Sequence, residues 1–177
     1  MNFNTVVGID PGSDGAIATI GLTPSTVILK NVTLISKNST ACKVFEDIDP
    51  ATTIVAIEEL HAIFGASAGS TFSLGKACGF WEGICCSRGI PYVLVPPKEW
   101  QEAVTKPPVK PKTRGLPENR RKAINKMHKA ALKVESMRAA SEIFPDYGID
   151  HDGMADAINI ARYIIYRDKL DKLYKEK

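Results

Sequence analysis

Histidine and cysteine are scarce in this chain, at three and four residues of 177. The cysteines are Cys42, Cys78 and the adjacent Cys85 and Cys86; they form no C-x-x-C pair and have no histidine at zinc spacing. Adjacent cysteines cannot bridge each other without strain, so all four read as small hydrophobes. No stretch approaches the roughly eighteen apolar residues that mark a membrane-spanning helix. The start, Met1-Asn2-Phe3-Asn4-Thr5, lacks the basic residues and apolar core of a signal peptide. The expectation is a soluble, cytoplasmic protein. Glycine and proline, at 13 and 11, stay far below the levels of collagen-like and low-complexity chains, which excludes those classes. With 44% hydrophobic and 24% charged residues, residues 1–177 read as one globular domain with one proper core.

The net charge of +3 is unevenly spread. The window from Lys106 to Arg138 holds eleven Lys or Arg and only two acids, Glu118 and Glu135. It carries +9 and leaves −6 for the rest of the chain. A basic segment on an acidic body points to a polyanionic partner.

Phe3 to Asp10 is apolar and β-prone and runs into the dense turn signal Pro11-Gly-Ser-Asp-Gly15. Ala16 to Gly21 and Thr26 to Ile35 read as further strands of an antiparallel meander. Thr40 to Asp47 reads as a short amphipathic helix. Thr53 to Ile57 is a continuous apolar run, the pattern of a strand buried on both faces. Gly69 to Arg88 reads as a helix with Gly75, Gly79 and Gly83 on one face. Each glycine weakens a helix by about 1 kcal/mol relative to alanine, so the stripe implies close packing, against the sheet or against a second subunit. Pro91 to Val95 reads as another buried strand, ended by Pro96-Pro97. The proline-rich basic stretch Lys106 to Gly115 reads as a loop or arm without regular structure. Glu118 to Phe144 reads as a helix, broken near Lys133, and Asp150 to Tyr174 as the last helix, with Asp150 as N-cap. Strands first, then helices alternating with strands, give an α/β or α+β domain with a mixed sheet.

Acids fall where a core would not want them. Asp10 ends the first strand, and Glu58 and Glu59 end the fourth. Asp152 and Asp156 share one face of a last helix that is otherwise apolar. A buried carboxylate costs several kcal/mol unless a cation satisfies it. Such a set, with no cysteine among it, suits Mg²⁺ or Mn²⁺ and suits zinc poorly. Two such ions can activate a water and stabilise a leaving oxygen in phosphodiester cleavage. Each acid also has a plainer reading. Asp10 can open a turn, and Asp152 can complement a helix dipole. Glu58 and Glu59 point to opposite sheet faces, so at most one serves a site.

Four stretches, in order, carry a family resemblance: Val7-Gly-Ile-Asp-Pro-Gly12, Ala56-Ile-Glu-Glu59, Phe72-Ser-Leu-Gly-Lys-Ala-Cys-Gly79 and Ala155-Asp-Ala-Ile-Asn-Ile-Ala161. Together the set resembles the RuvC-like Holliday-junction resolvases, particularly their phage-type members, within the RNase H-like nucleases. The resemblance implies an α/β, RNase H-like fold: a five-stranded mixed sheet flanked by helices, with the first and fourth strands adjacent and parallel at its centre. It implies that Asp10, Glu58, Asp152 and Asp156 form the catalytic, metal-binding set for two Mg²⁺ ions, with Mn²⁺ able to substitute. It matches Glu58, not Glu59, to the family's I-E motif. It further implies a homodimer that binds four-way DNA junctions and nicks two opposing strands, leaving 5′-phosphates.

Two departures stand out. Family members often carry Asp or His three residues before the last Asp, where this chain has Gly153; Asp152, one turn away, is the substitute, with His151 as the alternative. The basic arm, at about 106–132, is longer than in the cellular enzymes. Its candidate DNA contacts are Lys112, Arg114, Arg120, Arg121, Lys122, Lys126 and Lys133. His61 and Phe64, after the fourth strand, are candidates to stack on an unpaired base or simply loop residues.

The leading reading is therefore a metal-dependent, structure-selective endonuclease for branched DNA. A nuclease for flaps or forks is the close alternative, and a non-catalytic branched-DNA-binding module is an alternative of another class. An actin- or hexokinase-like nucleotide binder needs a second phosphate loop and about twice the length.

Overall fold

Two apolar runs far apart in sequence lie side by side at the centre of the sheet. Thr5–Ile9 forms β1 and Thr53–Glu58 forms β4, and they pair in parallel, Val7 beside Val55 and Ile9 beside Ile57. Both are buried on both faces along most of their length, as the continuous apolar run Thr53 to Ile57 predicts for β4. This computed structural model describes residues 3–35, 42–60 and 67–175, with side chains described as far as Asp168.

The meander is as expected: β2 (Ala16–Leu22) runs antiparallel to β1, and β3 (Val27–Leu34) runs antiparallel to β2. On the other side β5 (Tyr92–Val95) pairs in parallel with β4, giving five strands in the order β3-β2-β1-β4-β5. As an edge strand β5 is not the buried strand its sequence suggests; Leu94 is exposed and only Val95 is fully buried. The helix expected over Thr40–Asp47 begins outside the described residues. Its described part is one tight turn, Phe45 N–H to Cys42 and Glu46 N–H to Lys43, which seats Phe45 in the core.

Helix α1 (Ala68–Arg88) starts at Ser67, whose side chain accepts from the Ser70 amide, and ends at Gly89 in the left-handed region. It buries only Trp81 and Cys85. The glycine stripe does not lie against the sheet: a methyl group at Gly75, Gly79 or Gly83 would meet nothing within 4 Å. Of the two expected packing partners, the sheet is excluded.

Pro96-Pro97, read from sequence as a stop, starts a helix. Pro97 opens α2 (Pro97–Val104) at the position where a missing N–H costs nothing, and α2 buries Trp100. Residues 106–117 have no regular structure, as expected. Helix α3 (Glu118–Ile143) is continuous through Lys133, with no break. Its 26 residues span about 39 Å at 1.5 Å each. Nothing in the first half is fully buried, whereas Ser136, Ala139 and Ala140 are buried in the second. A 3₁₀ turn, Pro145–Tyr147, leads to α4 (Asp152–Lys175). Asp150 is not the cap; His151 precedes the helix, and its Nδ1 accepts from the Gly153 amide at 3.1 Å.

The core has two parts, one on each sheet face. Val7, Ile9, Ile17, Val55 and Ile57 pack with Phe45, Trp81 and Cys85 on the α1 face. Val6, Ala18, Ile20, Ile54 and Ala56 pack with Trp100 and with Ala155, Ala157, Ile158, Ile160 and Ala161 of α4. Gly8 makes this second packing possible, since a Cβ there would stand 2.1 Å from the Ala157 carbonyl oxygen. Among the described residues no helix is long and apolar enough to cross a membrane.

Candidate active site

Alternation along the central strands decides which acids meet. Val6 and Gly8 face α4, so Asp10, two residues further, leaves β1 toward α4 as well. Ile54 and Ala56 face α4, and Glu58 follows them at the end of β4. The parallel register that sets Ile9 beside Ile57 brings Asp10 and Glu58 together at one end of the sheet. The same alternation turns Glu59 to the α1 side, while its amide continues the ladder to the Val95 carbonyl at 2.9 Å.

Asp10 opens the turn, as one of its two readings expects. Its Oδ1 accepts from the Gly12 amide at 2.9 Å, closing the turn over 11–15, and its carboxyl lies in the acid cluster. Burial raises its pKa, and the Asp152 charge adds to the effect. Glu58 is pushed up to about 8, by burial first and then by the Asp10 and Asp156 charges. The Trp100 indole opposes this, donating to Glu58 Oε1 at 2.9 Å.

From α4, Asp156 reaches the same place. Burial raises it to about 7, with Asp10 and Asp152 adding repulsion, while the Ser136 hydroxyl that donates to its Oδ1 pulls the other way. Asp152 lies on the rim. Burial pushes its pKa up, but its ion pair with Lys133 outweighs this and holds it below the ordinary carboxylate range. Lys133 is raised in turn, chiefly by that bond.

The glycine at position 153 has a steric cause. A Cβ on Gly153 would lie 2.1 Å from the Asp14 carbonyl oxygen, because the start of α4 rests directly on the 11–15 turn. No side chain fits there. Asp152 stands one residue before it, and the His151 Nδ1 accepts from the Gly153 amide.

The four acids thus share one electrostatic site, but they are not drawn up as a finished chelate. Among the described residues no group of three His, Cys, Asp or Glu side chains is disposed to hold an ion. The donor chemistry still fits a hard divalent cation. Burial raises the pKa of all three half-buried carboxylates, the Asp10 charge raises Glu58 and Asp156 further, and the Lys133 cation beside them is paired with Asp152 at the rim.

Sequence reasoning missed two residues here, Trp100 and Ser136. Trp100 lies on a helix that a double proline concealed, 42 residues from Glu58. Ser136 is one serine on a basic helix, 20 residues from Asp156. Neither has a local signal.

The other basic candidates divide into two groups. Lys112, Arg114, Arg120, Arg121, Lys122 and Lys126 are exposed on the arm and the free half of α3, with Lys122 paired to Glu118 at 2.7 Å. Lys133 is apart from them, at the acids. The arm is tied down where it begins: the Lys106 amide donates to Glu135 Oε1 at 2.6 Å, and Arg138 holds Glu135 from the other side. Beside the Asp10 turn an open groove of ≈ 730 Å³ is lined by Pro11, Gly12, Ser13, Ser67, Ser70 and Ser73. His61 and Phe64 lie outside the described residues.

No protein-family model matches this chain, and no curated protein matches it. Solved structures do. Thermus thermophilus RuvC in complex with a Holliday junction substrate matches with a TM-score of 0.64 at 15% identity, over 94% of this chain and 96% of that one. A second Thermus thermophilus RuvC structure gives 0.62 at 18%, over 94% and 96%. The fowlpox virus Holliday junction resolvase gives 0.52 at 15%, over 93% and 99%. The fold is that of RuvC and its RNase H-like relatives, with the five-stranded mixed sheet flanked by helices.

Proposed function

We propose that this chain is a RuvC-like Holliday-junction resolvase, a divalent-metal-dependent endonuclease that nicks opposing strands of branched DNA. The observation that carries this reading is the meeting of Asp10, Glu58 and Asp156 on the α4 face, at the ends of the two central parallel strands. Nothing in a purely structural role requires three acids to be brought together there against their own repulsion. A non-catalytic DNA-binding module would account for the basic arm and leave the acids unexplained.

Asp10, Glu58 and Asp156 are the residues that would hold the metal, with Asp152 at the rim. Mg²⁺ or Mn²⁺, as a pair, would supply Lewis-acid stabilisation of the attacking and leaving oxygens of the phosphodiester. The chain's own residues do the rest. Trp100 orients Glu58, Ser136 orients Asp156, and Lys133 holds Asp152 at the rim. Hydrolysis by water leaves a 5′-phosphate and a 3′-hydroxyl, with no covalent protein–DNA intermediate. Arg120, Arg121, Lys122 and Lys126 position duplex arms through phosphates, which carry no sequence information directly.

Two sites are needed for paired nicks, so we assign a homodimer. The outer stripe of α1, with exposed Phe72 and the open Gly75, Gly79 and Gly83, is its interface. Light scattering should give the mass of two chains, and a monomer in the presence of junction DNA would remove this assignment.

The deciding experiment incubates the protein with labelled four-way, three-way, flap and linear DNA, with and without Mg²⁺. Symmetric, ligase-sealable nicks in the four-way junction only with the metal are expected. Preferential cutting of flaps would move the reading to the neighbouring substrate class. Binding without cutting under any metal would favour the binding module.

A further inference from the structure

A buried amide lies in the apolar stretch of α4. Asn159 is 0% exposed, between the buried Ile158 and Ile160, and an unsatisfied amide there would cost about 1–3 kcal/mol. It is satisfied, and in one direction only. The Arg162 guanidinium can donate but not accept. Its Nη1 lies 2.6 Å from Asn159 Oδ1 and 2.9 Å from the Ala139 carbonyl oxygen, so the amide oxygen must face Arg162. The amide nitrogen is thereby turned to Ser136 and donates to both its carbonyl oxygen and its Oγ, at 2.9 Å each. With a donor already on its oxygen, the buried Ser136 hydroxyl directs its own proton to Asp156 Oδ1.

We propose that Arg162, Asn159 and Ser136 form a one-way chain of donors that fixes the Asp156 carboxylate, keeping Oδ1 occupied and presenting Oδ2 to the metal. The proposal rests on the metal-dependent reading above. All three are positioning residues, acting on the metal through Asp156. The chain crosses from α4 to α3 and back, so the packing of these two helices sets the orientation of the acid.

The plainer role for the same bonds is to hold α3 against α4, and the two roles separate in one experiment. Mn²⁺ binding to the full chain is measured by electron paramagnetic resonance, beside the metal-free melting temperature. The arms are wild type, Asp156→Asn, Ser136→Ala and Asn159→Leu, the last keeping the number and branching of side-chain heavy atoms while releasing the serine hydroxyl to rotate. Loss of an outer partner of a ligand typically costs 10–100-fold in metal affinity. Ser136→Ala is expected to weaken Mn²⁺ binding by at least about tenfold, within that range, and Asn159→Leu to weaken it in the same direction. A lowered melting temperature with wild-type affinity in the folded variants would mean helix packing alone and would overturn the proposal. Should Ser136→Ala fail to fold, Asn159→Leu separates the two roles by itself. A wild type that binds no Mn²⁺ overturns both this proposal and the metal-dependent reading. Unchanged binding by Asp156→Asn overturns the chain but leaves a metal held by other acids.

Discussion

The two faces of the sheet are supplied by the same strands and do different work. On the α1 face, alternate residues of β1 and β4 meet Phe45, Trp81, Cys85 and Ile90, and the polar side chains in phase with them are the neutral Thr53 and Thr19. On the α4 face the other alternate residues meet a core into which Asp10, Glu58, Asp156, Ser136 and Asn159 are set. One face supplies stability through area removed from water. The other gives up part of that gain to hold carboxylates where their charges oppose one another. A shift of one residue along either strand would exchange the two, which is why strand register is the quantity that matters most here.

The sharpest way to break this contrast is on the α4 face. Asp10→Asn and Asp156→Asn should each abolish nicking of a four-way junction at matched enzyme concentration while junction binding by gel shift persists. Near-wild-type nicking by either would remove the acid site as the source of activity. On the α1 face, Trp81→Ala should cost about 3–5 kcal/mol in denaturant unfolding, with nicking per folded molecule within a few fold. A loss of nicking in the folded variant would mean that the faces are not separable.

Next in size is the arm. Neutralising Arg120, Arg121 and Lys122 together should weaken binding to every DNA. It should lower the log–log salt slope by about 0.9 for each phosphate no longer engaged, roughly 3 in all. An unchanged slope would make them a solvated surface. A smaller effect concerns metal-free stability. Glu58 has a folded pKa of about 8 against an ordinary 4.5, so the stability tied to its protonation is present below about 4.5 and lost as pH rises through 8. In EDTA, wild type should therefore melt progressively lower over that window, and Glu58→Gln should flatten the fall; parallel curves would contradict the burial of its charge. Smallest of all is Glu59→Gln, expected to leave nicking within a few fold of wild type while Glu58→Gln is inactive.

Much of this was legible in the sequence because it depends on period-two alternation and near neighbours. The apolar stretches Phe3 to Asp10 and Thr53 to Ile57 read as strands, the family resemblance put them at the centre, and alternation allowed at most one of Glu58 and Glu59 to serve a site. What was not legible depends on contacts across the chain. Pro96-Pro97 reads equally as a stop or as a helix start, and only the seat available to Trp100 decides for the latter. The break expected near Lys133 is absent because the second half of α3 packs on α4 through Ser136, Ala139 and Ala140, carrying the helix on. The glycine stripe of α1 announced close packing without saying to what, and the sheet is not the answer.

The close approach of Gly153 to the carbonyl oxygen of Asp14 also couples two segments that lie far apart in the chain. Any side chain at 153 would press the start of α4 off the 11–15 turn, because a Cβ there would stand 2.1 Å from that oxygen. The turn after β1 and the first turn of α4 therefore behave as a single mechanical unit, in which neither can be redrawn without the other.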